Sequence, residues 1–167
     1  RFSSLAEKSI LAHKHVRGDV LVIVFFGFVP VGGTYYVQAL TWTPDVTIAS
    51  LICGLLIDTL LVVNNYRDRE ADARSGKRTV IVRFGEKFGR YFYLMLGITA
   101  SLLCLCFLRE GHFYAAFLPQ LYLIPHFLTW KRMVKIYSGK KLNSILGETS
   151  RNMLLMGILI AIGMLIN

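Results

Sequence analysis

Five apolar runs limit what this chain can become. They cover residues 19–37, 46–63, 91–108, 113–130 and 152–166, and each approaches the roughly 20 residues a helix needs to cross the hydrocarbon of a bilayer. A backbone in lipid must satisfy its own N–H and C=O groups, and runs this long do so as helices. The expected fold class is therefore all-α, a polytopic transmembrane helical bundle with about five spans. The last run is short, so it tilts little or reaches the interface through its ends. Composition agrees, with 54% hydrophobic and 17% charged residues and a mean hydropathy of +0.53, too apolar for an ordinary water-soluble domain. Cys53, Cys104 and Cys106 all lie inside the runs, which argues against a disulfide or a zinc site. The chain opens at Arg1 without a methionine or signal peptide and reads as a piece of something longer.

The cations orient the bundle. Of 19 Lys and Arg residues, all but Arg109 fall before the first run, between the second and third, or between the fourth and fifth. Those three segments share one side if the spans alternate, and by the positive-inside rule that side is the cytoplasm. Adding or deleting a span would scatter the cations over both faces. The net charge of +9 is then topogenic charge that also meets anionic headgroups. Tied to a membrane face and without an accompanying motif, it does not indicate nucleic-acid binding. The lipid bilayer is the surrounding partner.

The segment after the second run asks for more than topology. Asn64, Asp68 and Asp72 are spaced i, i+4, i+8, so they share one stripe if the helix continues past the interface. The two carboxylates would stand about 6 Å apart along the axis, where like charges cost a helix roughly 0.2 to 0.5 kcal/mol. Neighbouring Arg67 and Arg69 could offset that repulsion. A divalent cation could also do so, since Mg²⁺ is commonly held by one or two carboxylates while substrate phosphates complete its octahedron. The helix should stop near Ser75 and Gly76, letting Lys77 and Arg78 bend back with charge-assisted bonds for diphosphate oxygens. A salt-bridged, solvated helix end is the plain alternative.

The full pattern N-x-x-R-D-x-x-x-D-x-x-x-G-K-R-T, from Asn64 to Thr79, resembles the second aspartate-rich motif of the UbiA superfamily of intramembrane aromatic prenyltransferases. Asn64 with Asn65, Arg67 with Asp68, and the V-I-V-R-F-G tail look most like the branch that prenylates 1,4-dihydroxy-2-naphthoate on the way to menaquinone. Gly18 to Val20, Phe25 to Gly27 and Gly33 to Tyr36 add to the likeness. The resemblance implies a nine-helix fold of which these spans are the fifth to ninth. The N-D-x-x-D-like first motif lies upstream of anything here, so the chain is expected to be the C-terminal portion of one prenyltransferase domain, with a cytoplasmic catalytic loop at about 64–90.

For chemistry, the resemblance implies Mg²⁺-dependent transfer from a polyprenyl diphosphate to an aromatic acceptor at a bacterial cytoplasmic membrane. With a naphthoate acceptor, carbon dioxide departs. Asp68 and Asp72 would be the catalytic metal ligands, supported by Asn64, with Arg67, Lys77 and Arg78 on the diphosphate. A carbocation favours aromatic faces in a dry pocket, and Tyr35 and Tyr36 are candidates for lining it. So is Asp58, an ionisable residue deep in the second run, where such groups face a cavity or a partner; it lies within about 80 degrees of the Asp68 face. An interhelical carboxyl is the competing reading of Asp58. His126 reads as an interhelical hydrogen-bonding group.

Prenyl transfer to another acceptor, such as 4-hydroxybenzoate, is the near alternative. A non-catalytic lipid-binding or transport component is the distant one. Sequencing upstream of Arg1 separates them: an N-D-x-x-D motif on a cytoplasmic loop is expected for the enzyme, and a start codon close to Arg1 would speak for the component.

Overall fold

The computed structural model describes residues 18–166. The cations Arg1, Lys8, Lys14 and Arg17, assigned above to the cytoplasmic side, lie outside them. Among the described residues the chain is helical with no strand, in five segments. These are α1 (Gly18–Ala39), α2 (Pro44–Arg74), α3 (Val80–Glu110), α4 (residues 113–136) and α5 (Lys140–Leu165).

Four of these, α1, α2, α3 and α5, are long and apolar enough to cross a membrane as single helices. The fourth apolar run, expected as one span over 113–130, is instead broken by a 3-10 stretch at Leu118–Tyr122. Pro119 causes the break, because it has no N–H to donate and its ring crowds the preceding turn. The exposed backbone is made good by Gln120, whose Nε2 donates to the carbonyls of Ala116 and Ser101, both at 2.9 Å. Ser101 Oγ in turn donates to Gln120 Oε1 at 2.7 Å. In α1, Pro30 lies within a π-helical stretch, Ile23–Gly33, a widened geometry that tolerates a missing donor.

The second helix exceeds the apolar run that announced it. Its 31 residues span about 46 Å, against about 30 Å of hydrocarbon, so its charged last turns project beyond the membrane. Thr43 caps its start by accepting from Val46 N at 3.3 Å, with Pro44 and Asp45 in the first turn, each placed where helix geometry and dipole favour it. At the other end Lys77 N donates to Asp72 O at 2.9 Å and Gly76 N to Ala73 O at 3.3 Å, the paired closure of a Schellman motif. Gly76 takes φ 77 to make it. Within residues 64–90 the non-helical connection is confined to residues 75–79, the helix ending near Ser75 and Gly76 as the spacing predicts, because both flanking helices are capped close to the turn. Thr79 caps α3 by accepting from Val82 N. Gly85, at φ 87 and ψ 169, then offsets the first turn of α3 in a conformation essentially restricted to glycine.

The last run likewise belongs to a longer helix. α5 opens with a 3-10 turn at Lys140–Leu142 and is α-helical from Asn143, so polar turns extend it ahead of residues 152–166.

Packing centres on α2, which lies between α1 and α3. Gly27 and Gly54 let α1 and α2 touch: a Cβ on Gly27 would strike the Ser50 carbonyl, and one on Gly54 would strike the Ile23 backbone. Small residues permit such crossings in lipid, where dispersion rather than water drives association. Val62, Val63, Tyr66, Tyr93, Met133 and Ile145 share one buried cluster beside the projecting end of α2; Ile52, Phe107, Tyr122 and Met156 share another further along. Polar ties join the helices between them: Tyr93 OH with Thr149 Oγ1 at 3.0 Å, Asn152 Nδ2 to Thr129 Oγ1 at 2.9 Å. His126 bridges helices, its Nε2 3.3 Å from Leu94 O and Nδ1 2.9 Å from Tyr122 OH. Gly97 makes room for that ring, which a Cβ there would overlap.

The Schellman turn is what returns Lys77 toward Asp72, and its conformation penalises a Cβ by roughly 1 to 2 kcal/mol. Gly76→Ala should lower the thermal unfolding midpoint in detergent, and Gly76→Asn, which adopts this conformation more readily, should lower it less. Equal, negligible shifts for both would show that the turn does not depend on glycine.

Candidate active site

At the projecting end of α2 the i, i+4 spacing does bring side chains together, through one guanidinium. Arg67 Nε donates to Asp68 Oδ1 at 2.7 Å and Nη2 donates to Asp68 Oδ2 at 2.6 Å. The same Nη2 donates to Asn64 Oδ1 at 2.7 Å. Arg67 Nη1 reaches across to α5 and donates to Asn143 Oδ1 at 2.9 Å. One cation thus gathers three oxygens from the stripe and a fourth from another helix, using the fork geometry that makes arginine suit carboxylates. Asp68 lies past the apolar run, on the charged end of α2. There its bond to Arg67 holds its carboxyl below the usual carboxylate value of 3.8, and the Lys77 charge acts in the same sense.

Asp72, one turn further, meets Lys77, whose Nζ stands 3.5 Å from Asp72 Oδ2. Lys77 is well exposed while Asp72 is largely enclosed. Arg78, next in the chain, faces outward. Arg69 turns inward instead: its guanidinium stacks over the Tyr66 ring at 4.5 Å and the Tyr137 ring at 5.0 Å, and donates to Tyr66 O. Arg90 approaches the same two rings and donates from Nε to Tyr66 OH at 2.9 Å, while Glu86 lies 3.7 Å from Arg69 and 3.4 Å from Arg90. This cluster locks α2 to α3 and to the turn after α4. It is also why Arg69 differs from Arg67, though the two are only two residues apart. Glu148, with Arg151 a near neighbour in sequence, pairs with Arg132 of α4.

Asn64, Asp68 and Asp72 therefore end up on one face, each of their groups matched by a cation. Asp58 does not join them. It is 1% exposed, about 15 Å down the helix from Asp68, and its Oδ1 has no hydrogen-bond partner among the described residues. Asp19 of α1 is near enough to interact with it electrostatically. Tyr35 and Tyr36 are not brought to the acids either. Tyr35 lines a cavity of about 750 Å³ with Asp45, Phe107, Glu110 and Met164, at the opposite end of α2, because α1 and α2 run antiparallel. Tyr36 beside it is exposed. Asn143 and the Tyr66–Arg90 pair carry no local motif, and their part in the site follows only from contacts between distant segments.

The donor set suits a hard cation. Two carboxylates and an amide oxygen are oxygen ligands of the kind Mg²⁺ takes. No group of three or more His, Cys, Asp or Glu side chains converges among the described residues, and Mg²⁺ does not require one when phosphate oxygens complete its shell.

Comparison with known proteins places the chain in a family. Residues 9–165 match the model of the UbiA prenyltransferase family, and the chain belongs to that family. It is 35% identical over 153 residues, 89% of its length, to 49% of a 1,4-dihydroxy-2-naphthoate octaprenyltransferase of Haemophilus influenzae. It is 42% identical over 88 residues, 53% of its length, to 28% of the protein of that name from Escherichia coli. A 2-carboxy-1,4-naphthoquinone phytyltransferase of Synechocystis is 26% identical over 72 residues, 43% of the chain and 24% of that protein. The chain spans about half the length, or less, of the curated relatives it matches. No solved structure matches it.

The depressed pKa gives the Arg67–Asp68 pair a definite pH range. Its contribution is complete above the ordinary carboxylate value and is lost as pH falls through the lower folded value. In Arg67→Gln the Asp68 titration, followed by the ¹³C shift of its carboxyl carbon, should move up toward 3.8; an unmoved midpoint would remove Arg67 as the cause.

Proposed function

We propose that the complete protein transfers a polyprenyl group from polyprenyl diphosphate to 1,4-dihydroxy-2-naphthoate, with loss of the ring carboxylate as carbon dioxide, in menaquinone biosynthesis. The observation that carries this reading is the 35% identity over 89% of the chain to a protein named for that transfer. The acids that the reading needs stand together at the charged end of α2.

On this reading Asp68 and Asp72 are the catalytic carboxylates and, with Asn64, hold Mg²⁺. Bound there, Mg²⁺ neutralises the negative charge that builds on the departing diphosphate. Arg67 and Lys77 take diphosphate oxygens by charge-assisted hydrogen bonds, and Arg78 lies next to them in the chain. The allylic C–O bond breaks with its electron pair on the diphosphate. A new C–C bond forms at the ring carbon that carries the carboxylate. Carbon dioxide then leaves, returning its bonding pair to the ring. The exposed apolar faces of α1, including Phe25 and Phe26, are available to the lipid bilayer, the prenyl chain or further helices of the whole protein. The cation distribution supports a cytoplasmic-facing site, and on this reading the membrane is a bacterial inner membrane.

The test uses the full-length protein in membranes with octaprenyl diphosphate, offering 1,4-dihydroxy-2-naphthoate and 4-hydroxybenzoate in parallel. Only the naphthoate should be prenylated, with release of carbon dioxide. Asp68→Asn should reduce the rate by at least about 100-fold, the scale of losing one preorganised electrostatic contact, with membrane insertion intact. Turnover at the parental rate would refute the role given to Asp68.

A further inference from the structure

The Arg67 contacts have a consequence for how the site loads. A carboxylate and an amide oxygen that together would seat a cation are already occupied by a cation of the chain itself. Both Asp68 oxygens and Asn64 Oδ1 accept from Arg67 at 2.6 to 2.7 Å. The fourth bond differs in where it is made. Arg67 Nη1 donates to Asn143 Oδ1, an acceptor on α5 that lies off the α2 stripe. Breaking the three bonds to the stripe therefore need not release the guanidinium from the site.

We propose that Arg67 is the resident cation of the unloaded site, filling the seat that a divalent ion takes on Asn64 and Asp68, and that Asn143 is the positioning residue that retains its guanidinium at the rim once displaced. The proposal rests on the reading of Asp68 and Asn64 as cation ligands. A divalent ion at about 2.0 to 2.1 Å from these oxygens cannot share them with a guanidinium at bonding distance without two like charges in contact. Arg67 must move outward, and its Nε and Nη2 lose their acceptors. Diphosphate oxygens supply replacements of the same geometry, while the Nη1–Asn143 bond keeps the freed donors beside the metal-bound phosphate. Ion and diphosphate therefore bind cooperatively. The ion alone has to displace Arg67 at a cost, and the diphosphate offsets that cost. Lys77 on Asp72, at 3.5 Å, repeats the arrangement one turn further at lower intimacy.

Coupling of this kind is reciprocal and is measured by binding. The full-length protein in nanodiscs would be titrated with Mn²⁺ and followed by electron paramagnetic resonance, with and without inorganic pyrophosphate. Wild type should bind Mn²⁺ weakly alone and more tightly with pyrophosphate. Arg67→Gln should tighten Mn²⁺ binding in the absence of pyrophosphate by about three- to tenfold, the scale of a partly exposed charged hydrogen-bonded pair, and should lose most of the enhancement by pyrophosphate. Arg67→Lys, which keeps the charge without the fork, should fall between and guards against a variant that misfolds. Asn143→Ala should keep Mn²⁺ affinity near wild type and weaken the enhancement. Unchanged or weaker Mn²⁺ binding in both Arg67 variants overturns the resident-cation role, and an unaltered enhancement in Asn143→Ala overturns the part given to Asn143. Asp68→Asn separates the two levels: Mn²⁺ binding that survives this change removes the ligand assignment itself, whereas binding lost here but indifferent to Arg67 removes only the resident cation.

Discussion

A carboxylate near the edge of hydrocarbon needs a counter-charge within reach, and the architecture of this chain follows from meeting that need at one end of one helix. Asp68 is held by a two-pronged bond to Arg67, and Asp72 by Lys77. Neither match would occur without two local devices. The α2 helix must continue beyond the membrane for its charged residues to share a face, and it must stop in a Schellman turn for Lys77 to return alongside it. Pairs this exposed contribute little to stability on their own. Their value is geometric: acids that would repel each other are kept aligned at one turn's spacing.

A second cluster, one helical face away, does the structural work that the first leaves undone. Arg69 and Arg90 bracket the Tyr66 and Tyr137 rings with Glu86 between them. Cation–π attraction strengthens as water is excluded, and Tyr66 is fully buried. Gly89 permits this packing, since a Cβ there would press on Ile81 and Tyr66. Joining α2, α3 and the end of α4, the cluster holds the base of the charged turn still while Arg67 and Lys77 remain at its surface. Arginines at 67 and 69 thus divide into one that holds Asp68 and Asn64 at the surface and one packed against tyrosine rings.

Deep in the bundle, Asp58 is a contrasting case. Its carboxyl lies enclosed near Asp19, with one oxygen unpartnered among the described residues. Intramembrane acids are costly and ordinarily face a partner or a cavity. The close contact of Gly54 with α1 one turn away places Asp58 at a helix crossing, so this acid serves a different place from the pair at the surface.

The shared face of the candidate site's residues was legible in the primary sequence because it is a matter of short-range geometry. The periodicity of Asn64, Asp68 and Asp72 puts them on one face of any helix, and Ser75–Gly76 ends that helix wherever it lies. The apolar runs and the one-sided cations determined a helical membrane bundle, since lipid offers a backbone no alternative partner. Tertiary structure alone decided which cation serves which acid, that Arg69 turns to Tyr137 while Arg67 turns to Asn143, and that Tyr35 lies at the opposite end from the acids. The break in the run at 113–130 follows from Pro119 in the sequence, but only the fold supplies the Ser101 carbonyl of another helix that Gln120 bonds there. Helical spacing is a local property, repeated every few residues. Those other choices depend on side chains that meet across tens of residues, and only packing brings them within hydrogen-bonding distance.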